Sequence, residues 1–96
     1  MISKPKWKID FSQESRKLFK KLDKPIKKRI VDYLEHKVAS LDNPKDLGKP
    51  LDGNFKGFWC YRVAGDYRVM CDIQNDKLVV LVVLLGHRKN IYETKH

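Results

Sequence analysis

Hydrophobic positions along this 96-residue chain recur with more than one period. Residues 6–11, Lys-Trp-Lys-Ile-Asp-Phe, alternate polar and apolar, the period of a half-buried strand. Ser12 follows, and a serine oxygen there can accept from backbone amides ahead of it and cap a helix. Leu18, Phe19 and Leu22 then mark one helical face. Asp23 interrupts, and Lys24-Pro25 restarts the pattern, since proline is tolerated in a first turn. Ile26, Ile30, Tyr33, Leu34, Val38 and Leu41 predict a second helix, ended by Asp42-Asn43-Pro44. With so short a joint, the two helices are expected to form an antiparallel hairpin.

Residues 42–57 read as a loop, punctuated by Gly48, Pro50, Gly53 and Gly57. Residues 58–63 are rich in strand formers, 64–66 (Ala-Gly-Asp) are a turn, and 67–73 are a second strand. After a turn at 74–77, an apolar run over 78–85 is a third, with Gly86 ending it. These three strands predict an antiparallel meander. The last is apolar on both faces, so it belongs in the middle of a sheet, covered on both sides or covered once and set into an oligomer. Ile91-Tyr92 fit a short terminal helix. The expected fold class is α+β: an N-terminal strand and a helical hairpin packed on a mostly antiparallel sheet, as one domain over residues 1–96.

Composition narrows the partners. Lys plus Arg is 21 against 12 Asp plus Glu, a net charge of +9, while 42% hydrophobic residues suffice for one compact core. No apolar run approaches the roughly 20 residues that span a bilayer, and no apolar stretch follows Met1 as a secretory signal would require. Two cysteines make neither a disulfide framework nor a zinc site. The expectation is a cytoplasmic basic domain with no membrane span and an anionic partner, and the charge ratio alone leaves RNA, DNA, a membrane surface and an acidic protein open. Most of the excess lies in residues 1–48, 13 basic against 7 acidic, as lysines on helical patterns. The arginines of the second half, Arg62, Arg68 and Arg88, sit instead among strand and turn residues, where an unpaired guanidinium is costly to bury.

The chain carries no glycine-rich phosphate loop, no metal-spaced His/Cys cluster and no nucleophile elbow, so no metal and no cofactor is expected. His36 and His96 read as surface side chains. Cys60 and Cys71, on neighbouring strands, read as two thiols that can face each other. The remaining tools are Arg, Lys, His and Tyr, and they suit metal-free RNA cleavage. There the 2′-OH attacks the adjacent phosphorus while the protein positions the phosphate, neutralises charge and moves protons. If residue 62 pairs opposite 68, Arg62 and Arg68 share a face; a register one residue different separates them. On a helical turn Arg88 and Tyr92 share a face. The blander alternative pairs Arg62 and Arg68 with Asp66 or Asp72 and packs Tyr92 against the terminal segment.

Tyr61-Arg62-Val63-Ala64-Gly65-Asp66-Tyr67-Arg68-Val69 resembles the core motif of RelE-like toxins of the RelE/ParE superfamily. Gly86-His87-Arg88-Lys89-Asn90-Ile91-Tyr92 resembles that family's ending. Leu47-Gly48-Lys49-Pro50-Leu51-Asp52-Gly53, before Phe58-Trp59, resembles its approach to the first meander strand, and Phe11-Ser12 with Lys20-Lys21-Leu22-Asp23 its helical hairpin. The resemblance implies the toxin of a type II toxin–antitoxin system, a ribosome-dependent mRNA interferase. Such an enzyme cuts mRNA in the ribosomal A site by 2′-OH attack and is neutralised by a RelB-like antitoxin. It implies phosphate binding for Arg62 and Arg68, the same with orientation of the nucleophile for Arg88, and base stacking or proton transfer for Tyr92. His87 is an added general acid/base candidate. Cys60 stands where some relatives carry a second basic residue, so Lys49 or Lys56 is expected to supply that charge from the loop. The alternatives are a ParE-like protein that poisons DNA gyrase without cutting, and a plain RNA-binding module or inactive relative.

Overall fold

The alternation at the N-terminus becomes β1 (Lys8–Phe11) in the computed structural model, which describes residues 6–91. Ser12 then caps α1 (Gln13–Lys20): its Oγ accepts the Ser15 N–H at 3.1 Å. The Ser15 hydroxyl, fully buried, donates to the Val82 carbonyl at 2.7 Å, which pins the first turn of α1 to the sheet. Asp23 and Pro25 open α2 (Lys24–Tyr33). The second helix was expected to continue unbroken to residue 41. It instead widens into a π-helical turn, Leu34–Val38, in which the Ala39 N–H reaches the Leu34 carbonyl at 2.8 Å. The wide turn brings Leu34, Val38 and Ala39 all into the core, each fully buried.

The segment read as loop holds a 3₁₀ turn (Pro44–Asp46), a two-residue strand β2 (Lys49–Pro50) and a second 3₁₀ turn (Gly53–Phe55). β2 is too short for periodicity to reveal, and Pro50 suits it to a sheet edge. The meander follows as β3 (Trp59–Val63), β4 (Tyr67–Gln74) and β5 (Val79–His87), then α3 (Arg88–Ile91). The five strands order as β1-β5-β4-β3-β2, all antiparallel except the parallel β1–β5 pair. The apolar last strand therefore lies between two others, as expected. Its bounds differ from the reading. Leu78 belongs to the preceding turn, at φ 53 and 50% exposed. Gly86 does not end the strand, because β4 continues opposite it: Arg68 pairs with Gly86 and Tyr67 with His87.

Alternate strand positions build the core. Tyr61 and Val63 of β3, Val69, Cys71 and Ile73 of β4, and Val80, Val82 and Leu85 of β5 pack with Trp7, Ile30, Leu34 and Val38. α1 packs on β5 and α2 on β3, so the helices cover one face of the sheet. A register shift between Met70 and Cys71 sets Met70 opposite Leu84 but Cys71 opposite Val82. This bulge absorbs one residue of the continuous apolar run. Among the described residues, no helix is long and apolar enough to cross a membrane.

Candidate nucleic-acid interface

The side-chain alternation that buries Tyr61, Val63 and Val69 turns the residues between them to the opposite face, which α1 and α2 leave open. Arg62 pairs directly with Arg68, and Cys60 with Met70. The conditional reading of the sequence is thus the observed register, and the two arginines share a face. Lys49 of β2 pairs with Cys60 on the outer side. Lys49, Pro50, Leu51, Cys60, Arg62 and Arg68 line an open cleft of about 320 Å³.

The two arginines are held differently. Arg62 is exposed, and its guanidinium makes no hydrogen bond or ion pair with a described residue. Arg68 is only 8% exposed, and its Nη1 donates to the carbonyls of Gly65 at 3.0 Å and Tyr67 at 3.2 Å. No buried side-chain nitrogen or oxygen among the described residues lacks a hydrogen-bond partner. Neither arginine pairs with Asp66 or Asp72. Asp72 instead accepts from Gln74 at 3.2 Å, and Asp66 faces the chain after β5. Two cations thus sit side by side with no carboxylate between them, which favours an anion as the third party.

Arg88 opens α3 beside the β3–β4 turn. Its N–H donates to the Asp66 carbonyl at 2.7 Å, and its Nε lies 3.4 Å from Asp66 Oδ1. Gly86, the partner of Arg68, bears no side chain, and a Cβ there would lie 4.0 Å from Ile91 Cβ. α3 therefore comes down over the strand position next to Arg68. Tyr92 lies outside the described residues.

His87 is not brought into the cleft. As the partner of Tyr67 it is one position out of step with Arg68, and its ring meets the Tyr67 ring edge-on at 5.5 Å. Its Nδ1 accepts the Lys89 N–H at 3.1 Å, which assigns the proton of the neutral ring to Nε2, 3.9 Å from Asp66 Oδ2. His87 lines a separate groove with Leu18, Leu22, Tyr67 and Ile91. Of the two loop lysines, Lys49 lines the cleft and Lys56 does not; Lys56 follows the 3₁₀ turn at Gly53–Phe55. Cys60 and Cys71 do not face each other. Cys71 pairs with Trp59, one position out of step with Cys60, so the thiols take opposite faces of the sheet. Burial pushes the Cys71 thiol well above the ordinary cysteine range.

Sequence alone missed the contribution of β2, whose two residues form the outer wall of the cleft. The signal available was Lys49-Pro50 between two glycines, Gly48 and Gly53. Gly48 packs flat on the core tyrosine: a Cβ there would lie 3.0 Å from Tyr61 Cζ. Among the described residues, no group of three His, Cys, Asp or Glu side chains is arranged to hold a metal ion.

A family model described as the ParE toxin of type II toxin–antitoxin systems matches residues 9–92. No curated protein sequence matches. Among solved structures, the chain is similar to the toxin–antitoxin complex RelBE2 of Mycobacterium tuberculosis at 24% identity, covering 93% of this chain and 98% of that one, with a TM-score of 0.77. A mutant of E. coli RelE in the free state is 19% identical over 91% of this chain and 90% of that one, with a TM-score of 0.71. YafQ from E. coli is 18% identical over 90% and 98%, with a TM-score of 0.60. At these identities the likeness is one of fold.

Proposed function

The chain belongs to the ParE toxin family of type II toxin–antitoxin systems, and from that premise we propose that it is a ribosome-dependent mRNA endoribonuclease. The observation that carries this reading is the Arg62–Arg68 cross-strand pair, set with Lys49 in a cleft that no carboxylate among the described residues lines. A phosphodiester fits such a site because the planar guanidinium matches two phosphate oxygens. In the proposed reaction the 2′-oxygen bonds to phosphorus and gives up its proton. The bond from phosphorus to the 5′-oxygen breaks, and that oxygen takes up a proton. The products are a 2′,3′-cyclic phosphate and a free 5′-OH.

Arg62, exposed and unpaired among the described residues, is assigned to capture of the phosphate. Arg68, held by two backbone carbonyls, is pre-organised and is assigned to the charge that develops on the transition state. Arg88 joins them with orientation of the nucleophile. Tyr92 is assigned to base stacking or proton transfer. Lys49 takes the place of the basic residue missing at Cys60, since it is that residue's cross-strand partner. His87 faces the helix side and enters only as a proton carrier around the end of the sheet. The proposed partners are the ribosome and mRNA as target and a RelB-like antitoxin as inhibitor, in keeping with the toxin–antitoxin complex of similar fold.

The family match favours a second reading, a gyrase poison that cuts nothing, in which the cleft is an electrostatic seat. Primer extension on translating ribosomes separates the two. The nuclease reading expects cuts within A-site codons, lost in Arg68→Ala and Arg88→Ala. Absence of those cuts, together with gyrase-dependent DNA breaks, supports the second reading instead.

A further inference from the structure

Three residues, Ala64-Gly65-Asp66, join β3 to β4, and strain and hydrogen bonding concentrate there. Ala64 stands at φ 54, where an L side chain crowds its own carbonyl, and Gly65 at φ 77. The Asp66 N–H closes the turn on the Ala64 carbonyl at 2.9 Å. The acceptors this conformation turns outward are taken by two arginines. Arg68 Nη1 occupies the Gly65 carbonyl at 3.0 Å. Arg88 occupies Asp66 twice, its N–H on the carbonyl at 2.7 Å and its Nε facing Oδ1 at 3.4 Å. A strained turn persists only where its surroundings hold it, and here those surroundings are the arginines.

We propose that Asp66 is the positioning residue of Arg88. Its carbonyl fixes the backbone at the start of α3, and its carboxylate holds the guanidinium through Nε. The contact is made through Nε, so N–H groups of the terminal nitrogens remain to meet phosphate oxygens. Both side chains are more than half exposed, so the attraction is screened and weak. Its effect is to restrict the rotamers of a long side chain rather than to neutralise it. Arg68 and Arg88 are thereby referenced to the same three-residue turn, and their separation is set by the turn and not by either strand end alone.

The proposal deepens the RNA-cleavage reading and rests on it. Steady-state cleavage of mRNA on translating ribosomes is measured for Asp66→Ala, Arg88→Ala and the double variant. Misplacing a phosphate-binding group slows the chemical step, so Asp66→Ala is expected to lower kcat about tenfold with KM changed less than about twofold. In a His87→Ala background, which removes the other group that Asp66 faces, at 3.9 Å, adding Asp66→Ala to Arg88→Ala should cost nothing further, because both then act through one guanidinium. Asp66→Asn, which keeps the shape and drops the charge, guards against a folding defect and should lower kcat about threefold. Full kcat in Asp66→Ala and Asp66→Asn, or additive losses in the double variant in the His87→Ala background, would overturn the proposal. If the wild-type chain cuts no mRNA, the cleavage reading fails separately, and the ¹⁵N–¹H signal of Arg88 Nε then decides the positioning. Slow hydrogen exchange in the wild type that becomes fast in Asp66→Ala supports it; identical exchange in both refutes it.

Discussion

Tyr61→Phe removes one oxygen atom from a fully buried ring, and its effect can be worked out in advance. The hydroxyl donates to the Pro44 carbonyl at 2.6 Å, and both residues are inaccessible to solvent. That carbonyl keeps one long bond, from the Leu47 N–H at 3.4 Å, so it is not wholly orphaned. Losing a buried bond with partial compensation costs about 1–2 kcal/mol. For a domain of this size each kcal/mol lowers Tm by about 4–8 °C, so the expected drop at neutral pH is about 4–16 °C. The pH dependence supplies an independent check. Burial raises the Tyr61 hydroxyl above its ordinary value near 10. Its protonated form is therefore favoured by folding. That contribution is complete below about pH 10 and is lost as pH rises toward the folded-state value, at about 1.4 kcal/mol per pH unit. The phenylalanine variant has no such term, so the gap between the two proteins should narrow above about pH 10. Thermal and urea melts of both proteins from neutral pH to about pH 11 test this. Equal Tm values at neutral pH, or a gap that stays constant through the alkaline range, would refute the reasoning.

Other expectations follow from single contacts. Ser12→Ala removes the cap of α1 and should cost about 1 kcal/mol, seen as a Tm lower by about 4–8 °C. Ala64→Gly releases the left-handed strain of about 1–2 kcal/mol against an unfolded-state entropy cost of about 0.4–1, so Tm should rise by a few degrees or stay level. Because Cys60 and Cys71 take opposite faces, mild oxidation should give no intramolecular disulfide, and the mass under denaturing, non-reducing conditions should stay that of two thiols.

Elements with a sustained period were legible in the sequence, whereas the short turn left the register of Arg62 against Arg68 open and the strand pairing decides it. What escaped was set by partners rather than by local pattern. Gly86 reads as a strand breaker until β4 is seen to continue opposite it. Lys49-Pro50 has no period of its own and becomes a strand only by pairing with Cys60 and Trp59. The π-helical turn hides because Leu34, Val38 and Leu41 keep helical spacing whichever way the backbone widens. The faces of His87 and Cys71 depend on a register that neighbouring strands fix and local pattern does not. In a sheet one step of register moves a side chain through the full thickness of the layer.

The placement of β5 bears on when this protein can fold. It comes last of the described strands, yet it lies between β1 and β4, with Lys8 meeting Val79 across nearly the whole chain. Until β5 emerges during synthesis, β1 and β4 both present unpaired edges. The β3–β4 hairpin with Arg62 and Arg68 can close early, from local contacts alone. Closure of the sheet waits for long-range pairing, which carries a high loop-closure entropy and is slow. Arg88 follows directly on that strand, so it reaches Asp66 only after the sheet has closed. The order of emergence thus delays the contact between Arg88 and the β3–β4 turn until nearly all of the described chain has been made.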